Sequence, residues 1–130
     1  MKVLQTVIVK QILTETSKSA LLENYQNRKF QLQKECDQLK FAMKKFEKAN
    51  KHQAEAAIKQ YDKEIRGKEE KSKLIDFQIE QLHILPLGSE LKETELQAVV
   101  ELQVGDSWES FLGSQTIIIK DGVVAEIRER

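Results

Sequence analysis

Phe46-Glu47-Lys48-Ala49-Asn50-Lys51-His52-Gln53-Ala54-Glu55-Ala56-Ala57-Ile58 is the stretch on which the fold turns, because the apolar rhythm changes phase inside it. Upstream, Leu22, Tyr25, Lys29, Leu32, Cys36, Leu39, Met43 and Phe46 alternate spacings of three and four. Downstream, Ala54, Ile58, Tyr61, Ile65, Lys68, Ser72, Ile75, Ile79 and Leu82 do the same. This is the a/d pattern of a coiled coil. Extending the first series would put a knob at Ala57, one residue short of Ile58, and a break near Asn50–Gln53 absorbs that shift. Folded back there, the two series face each other in eight pairs, from Phe46–Ile58 to Leu22–Leu82, and five of the eight are apolar on both sides. The three mixed pairs, Cys36–Lys68, Leu32–Ser72 and Lys29–Ile75, fall beside Gly67 and mark the loosest part of the seam. Lys29 and Lys68 can lay their stems in it and send their ammonium groups to water.

The helical zone runs from about Thr16 to Ile84, dense in Lys, Glu, Gln, Ala and Leu, with Thr14, Thr16 and Ser17 as candidate N-caps. Leu85-Pro86-Leu87-Gly88 stops it. Each arm of a hairpin would have about 32 residues and a length of roughly 48 Å. The competing picture is one uninterrupted helix of about 100 Å, which would leave two β zones at opposite ends for a second chain to complete. Ala49-Asn50-Lys51-His52 contains neither glycine nor proline, but the phase shift favours the hairpin.

Outside the helices the period changes to two. Val3, Val7, Ile8, Val9 and Ile12 form a β-branched run between Lys2 and Leu13. Residues 97–104 read as a strand ending at Gly105-Asp106. Thr116–Lys120 and Val123–Arg128 flank Asp121-Gly122, the residues a type I′ hairpin turn requires. Trp108, Phe111 and Leu112 are expected to cap the small sheet. The expected fold is α+β: a small antiparallel β domain or barrel (1–14 plus 85–130), with a long antiparallel coiled-coil hairpin (15–84, turn near 49–53) inserted after the first strand.

The chain has 130 residues, 40% of them hydrophobic and 32% charged, which suits one modest domain. Lys+Arg and Asp+Glu are 21 each, so a globally basic nucleic-acid binder is not expected. The charge is nevertheless uneven: +2 over residues 1–14, +3 over 15–50, zero over 51–83 and −5 over 84–130. Cys36 is the single cysteine and allows no intrachain disulfide. No run approaches the 18 or so apolar residues of a membrane span, and the N-terminus lacks a signal-type apolar run. These features lead to the expectation of a cytoplasmic protein without membrane attachment.

Several segments carry a resemblance. Ile79-Glu80-Gln81-Leu82-His83-Ile84-Leu85-Pro86-Leu87-Gly88-Ser89-Glu90, Val104-Gly105-Asp106-Ser107-Trp108 and Lys120-Asp121-Gly122-Val123-Val124 resemble the bacterial YlqD family. The resemblance covers most of the chain and is most specific across Leu85–Glu90. It implies a bacterial cytoplasmic origin and the order strand, long helical region, small β region. It implies no activity and brings no catalytic residues.

The sharpest site candidate is a lysine cluster. Lys40, Lys44, Lys48 and Lys51 fall on one helical face and Lys45 lies close by, with Glu47 the one acid among them. Such a cluster suits an electrostatic contact with phosphates or an acidic partner. The commoner reading of such a face is a solvated surface that keeps a coiled coil soluble. Without arginine forks or interleaved aromatics, sequence-specific readout is not expected. Cys36 sits at an a position and reads as core. His52 and His83 lie at opposite ends of a hairpin and cannot share a metal. Asp106, Glu109 and Asp121 could form an acid pair or cation site, but Asp106 and Asp121 belong to turns. Trp108 reads as a core residue. No phosphate loop, catalytic triad or zinc spacing is present. The expected function is a non-enzymatic binding or scaffold module, with no cofactor, metal or small-molecule substrate, whose basic segment touches an RNA-containing or acidic assembly. The alternative is a self-assembling structural protein, a homodimer formed by helix exchange or through its β domain.

Overall fold

The computed structural model describes residues 1–50 and 54–129. In chain order they form β1 (Lys2–Ile12), α1 (Glu15–Ala49), α2 (Glu55–Ile84), β2 (Glu90–Glu101), α3 (Trp108–Leu112), β3 (Gln115–Lys120) and β4 (Val123–Arg128). The fold is α+β with both long helices between the first strand and the rest, as the sequence indicates. The chain divides into two units, Met1–Ser19 with Leu85–Arg130, and Ala20–Ile84.

In the first unit, β1 lies inside a four-stranded sheet of order β2-β1-β3-β4. It pairs antiparallel with β2 along its whole length, from Lys2 opposite Glu101 to Ile12 opposite Glu90. Leu13 extends the ladder: its N–H donates to Ser89 O (2.8 Å), and Gly88 N–H donates to Leu13 O (2.7 Å). Burial alternates along β1, with Gln5, Val7 and Val9 buried. Leu13 and Ile118 are the most fully enclosed large side chains of this unit.

The expected antiparallel sheet or barrel needs one correction. β1 and β3 run parallel, Val7–Gln11 beside Gln115–Ile119, so the sheet is mixed and open. The cause is the connection after β2. Residues 102–114 leave the sheet beside Met1 and re-enter it on the far side of β1. Met1 and Leu102 exchange two hydrogen bonds, one from the terminal ammonium (2.9 Å) and one from Leu102 N–H (2.8 Å). The buried Gln5 donates through Nε2 to Phe111 O (2.7 Å) and Gly113 O (3.0 Å), holding the connection on the sheet. A second correction concerns β2, which starts at Glu90 and ends at Glu101 instead of spanning 97–104. Its first half is polar because it is an edge strand with side chains in solvent, so alternation is faint there. Gly105 (φ 100°) and Asp106 then turn the chain, with Asp106 Oδ2 accepting from Gln103 N–H at 2.8 Å.

The β3–β4 turn is as expected. Asp121 (φ 48°) and Gly122 (φ 80°) both have positive φ, and Lys120 faces Val123 across a two-residue loop. The two edge strands are also joined. Arg128, the last residue of β4, makes a bidentate pair with Glu90, the first of β2, at 2.6 and 2.9 Å. That pairing holds the Glu90 carboxyl below its usual range and the Arg128 guanidinium above its own.

Thr14 is the N-cap of α1. Its Oγ1 accepts from Ser17 N–H (3.1 Å) while Ser17 Oγ accepts from Thr14 N–H (2.8 Å), a reciprocal capping box. The Thr14 hydroxyl also donates to Asp121 Oδ1 at 2.6 Å, so the cap is fixed to the β3–β4 turn. At the other end of the helical segment, Pro86 and Gly88 turn the chain into β2. Gly88 has φ 93°, a region that L side chains rarely adopt, although no neighbouring atom would meet a Cβ there. Gly88→Ala is therefore expected to cost about 1–2 kcal/mol through backbone strain alone. Urea unfolding should show a lower midpoint with an unchanged slope.

Candidate interaction surface on the helical pair

In the second unit, burial follows the heptad positions. Cys36, Ile65, Ile75 and Leu82 are buried, while Leu22, Leu32, Leu39, Met43, Ile58 and Ile79 are half-buried. The helices pair antiparallel. Phe46 packs on Tyr61 (ring centroids 6.3 Å apart, tilted 53°), Cys36 Sγ lies 3.9 Å from Ile65 O, and Lys29 pairs with Asp76 further back along the seam. α1 ends at Ala49 and α2 begins at Glu55. The expected turn near 49–53 lies largely outside the described residues, with Lys51 and His52.

The two lysines at seam positions do not simply reach water. Lys68 Nζ binds Glu35 Oε2 at 2.8 Å, and Lys29 Nζ binds Asp76 Oδ1 at 2.5 Å. Further along, Lys40 Nζ is 3.6 Å from Glu69 Oε1. Each carboxylate flanks a seam residue in sequence: Glu35 precedes Cys36, Asp76 follows Ile75, Glu69 follows Lys68. That flanking position is the signal by which they could have been found, since residues beside a and d pair across helices.

The hydrogen bond from Lys68 is the main reason the Glu35 carboxyl sits below its usual range, and Gln31 Nε2 adds a second (3.2 Å). The Lys68 ammonium is raised above the usual lysine range, chiefly by Glu35. Glu35 thus adds stability in full above the ordinary carboxylate pKa, lost as pH falls through its lowered value. Lys68 adds stability in full below the ordinary lysine pKa, lost as pH rises through its raised value.

The lysine cluster is only partly held within the chain. Lys40 has its cross-helix partner. Lys44, Lys45 and Lys48 are exposed near the end of α1 and have no carboxylate partner among the described residues. Lys51 lies outside the described residues. Among those described, the cross-helix ion pairs therefore stop at Lys40, and an uncompensated basic segment follows.

The remaining candidates are dispersed. Cys36 is a buried free thiol in the seam, and His83 is exposed in the last turn of α2. Asp106 and Asp121 are occupied by their turns. Among the described residues, no group of three His, Cys, Asp or Glu is placed to hold a metal ion. Trp108 is not a core residue: it is 59% exposed and stacks on Phe111, with ring centroids 5.2 Å apart. The reason is that α3 has only five residues and is held by Gln5 through the backbone carbonyls of Phe111 and Gly113, which leaves Trp108 and Leu112 exposed while Phe111 is half-buried. Among the described residues, no helix is long and apolar enough to cross a membrane.

A profile described as YlqD protein matches residues 1–128. The chain belongs to the YlqD family. A relative from Bacillus subtilis (strain 168), described as uncharacterized protein YlqD, is 45% identical over 130 residues, the full length of both chains. A crystal structure of a protein of unknown function from Synechococcus sp. WH 8102 superposes with TM-score 0.77, covering 99% of this chain and 95% of that one. Its identity is 18%, so it establishes the shared fold alone. In this YlqD chain the motifs that carried the resemblance are structural. Among the described residues, Gly88, Gly105 and Asp121-Gly122 are the positive-φ positions, each in a turn next to a strand.

The Glu35–Lys68 pair gives a pH test. Thermal stability should be flat near neutrality, fall in acid below the ordinary carboxylate range, and fall again in strong alkali. Glu35→Gln should lower the plateau and flatten the acid limb in a pH series followed by circular dichroism.

Proposed function

We infer that this YlqD protein is a non-enzymatic binding or scaffold module acting in the bacterial cytoplasm. Its coiled-coil helical pair carries a basic segment that contacts an RNA-containing or acidic assembly. The observation that supports this is the placement of Lys44, Lys45 and Lys48, exposed and without carboxylate partners among the described residues, just past the last cross-helix ion pair. A solvated lysine face would keep the helices soluble with charges of either sign. Lys29, Lys40 and Lys68 each have a carboxylate on the facing helix, and an unpaired cluster beyond them suits an external anion better. The buried free thiol of Cys36 is in keeping with a reducing compartment. With lysine ammonium groups and no arginine in the cluster, recognition would rest on phosphate or carboxylate charge, not on base edges.

One observation favours self-assembly as a second reading. Edge strand β4 leaves Val123, Val124 and Ile127 more than half exposed, and an apolar edge invites pairing.

Fluorescence anisotropy with a single-stranded RNA of mixed sequence, measured across a salt series, tests the first reading. Affinity should fall steeply with salt, and Lys44→Glu with Lys48→Glu should reduce it by about ten-fold or more at low salt. Binding indifferent to both changes would contradict it.

A further inference from the structure

The outward face of α1 carries a second regular stripe, separate from the seam. Phe30, Lys34, Asp37 and Phe41 follow one another at spacings of four, three and four, and one heptad beyond each end lie Glu23 and Lys48. All six are exposed. Phe30 and Phe41 are 72% and 70% exposed, far more than an aromatic residue needs to be on a helix that already has an apolar seam. They stand three turns apart, about 16 Å along the axis. Between them lies a shallow trough of about 400 Å³, lined also by Lys34 and Asp37.

The centre of the stripe, from Phe30 to Phe41, reads the same in both directions once charge is included. In an antiparallel pairing about a two-fold axis level with the Glu35–Cys36 peptide, residues whose numbers add to 71 face each other. That sets Phe30 against Phe41, Lys34 against Asp37, and Glu23 against Lys48. At these six positions apolar meets apolar and each charge meets its opposite, while the intervening pair sets Lys44 against the neutral Asn27. An isologous interface requires this of a surface, since each residue must suit its partner in both directions. The spacing also places a-type against d-type positions, as an antiparallel helix pair demands.

The local electrostatics agree. Asp37 is held by one carboxylate oxygen, Oδ1, which accepts from Gln33 Nε2 at 3.1 Å, leaving Oδ2 for an external donor. Lys34 has no carboxylate partner among the described residues, although Asp37 stands one turn away on its own helix. Lysines at the seam behave differently, for Lys29 and Lys68 both find a carboxylate.

We propose that this face of α1 is a two-fold interface for a second copy of the chain, docked antiparallel with Phe30 against Phe41 and Lys34 against Asp37 of the partner subunit. The four phenylalanines form its apolar centre. The two Lys34–Asp37 pairs between them fix the register, and the Glu23–Lys48 pairs lie at the solvated rim, where they add little. This surface is distinct from β4, and it needs no exchange of helices between chains.

Sedimentation equilibrium on the full chain tests the proposal. The wild type should show a reversible shift from 15.0 kDa to twice that mass as concentration rises. Phe30→Glu and Phe41→Glu, at exposed positions that leave the fold intact by circular dichroism, should each raise the dissociation constant about ten-fold or more. Lys34→Asp should weaken the dimer by opposing like charges, and adding Asp37→Lys to the same chain should restore it. A wild type that stays monomeric to about 200 µM, above the range of specific assemblies, would overturn the proposal. So would a dimer indifferent to both phenylalanine changes, or a double charge swap as weak as the single one.

Discussion

The pairing of β1 with β2 is the contact on which the rest depends. It joins residues 2–12 to residues 90–101 with a single register shift between Val9 and Lys10, although the whole helical segment separates them in sequence. A ladder of such sequence separation carries a large loop-closure cost unless the intervening chain is itself ordered. The antiparallel pairing of α1 with α2 provides that order. The helices need the phase shift between Phe46 and Ile58, and the strands need the helices to return the chain. Leu13, 1% exposed and bonded to both Gly88 and Ser89, sits where the two requirements meet.

Much of this was legible because periodicity reports burial. The alternation of threes and fours identified Cys36, Ile65, Ile75 and Leu82 as seam residues, and all four are buried. Asp121-Gly122 announced a type I′ turn because few residues tolerate positive φ twice in succession. The parallel β1–β3 contact was not legible: it joins distant residues through ordinary β-branched side chains and leaves no turn signature. Trp108 misled because bulk usually means core, whereas backbone bonds from Gln5 hold its segment in place. Glu35 and Asp76 were overlooked because a polar residue beside a seam looks like any solvated one until its partner's position is known.

The helical pair separates two uses of charge. Along the seam, lysines and carboxylates answer one another across the helices. On the outward face of α1 they do not, and among the described residues Lys34, Lys44, Lys45 and Lys48 have no carboxylate partner. The stretch from Phe30 to Phe41 is complementary to itself, while Lys44, Lys45 and Lys48 are of one sign. A surface of the first kind suits a copy of the same molecule, and one of the second suits a polyanion. Both readings make α1 the working element and give the sheet the part of a cap that fixes its first turn through Thr14, Ser17 and Asp121.

The fold requires that the sheet be completed within one chain. Thr6 faces Gln97 across β1 and β2, with Gln97 Nε2 donating to Thr6 Oγ1 at 3.1 Å, and facing positions of this kind are within reach of a disulfide. Thr6→Cys with Gln97→Cys, oxidised in dilute solution and run on a non-reducing denaturing gel, should give a closed single chain of 15.0 kDa. A disulfide-linked species of twice that mass would mean that β1 of one molecule pairs with β2 of another, and the intramolecular fold would be wrong.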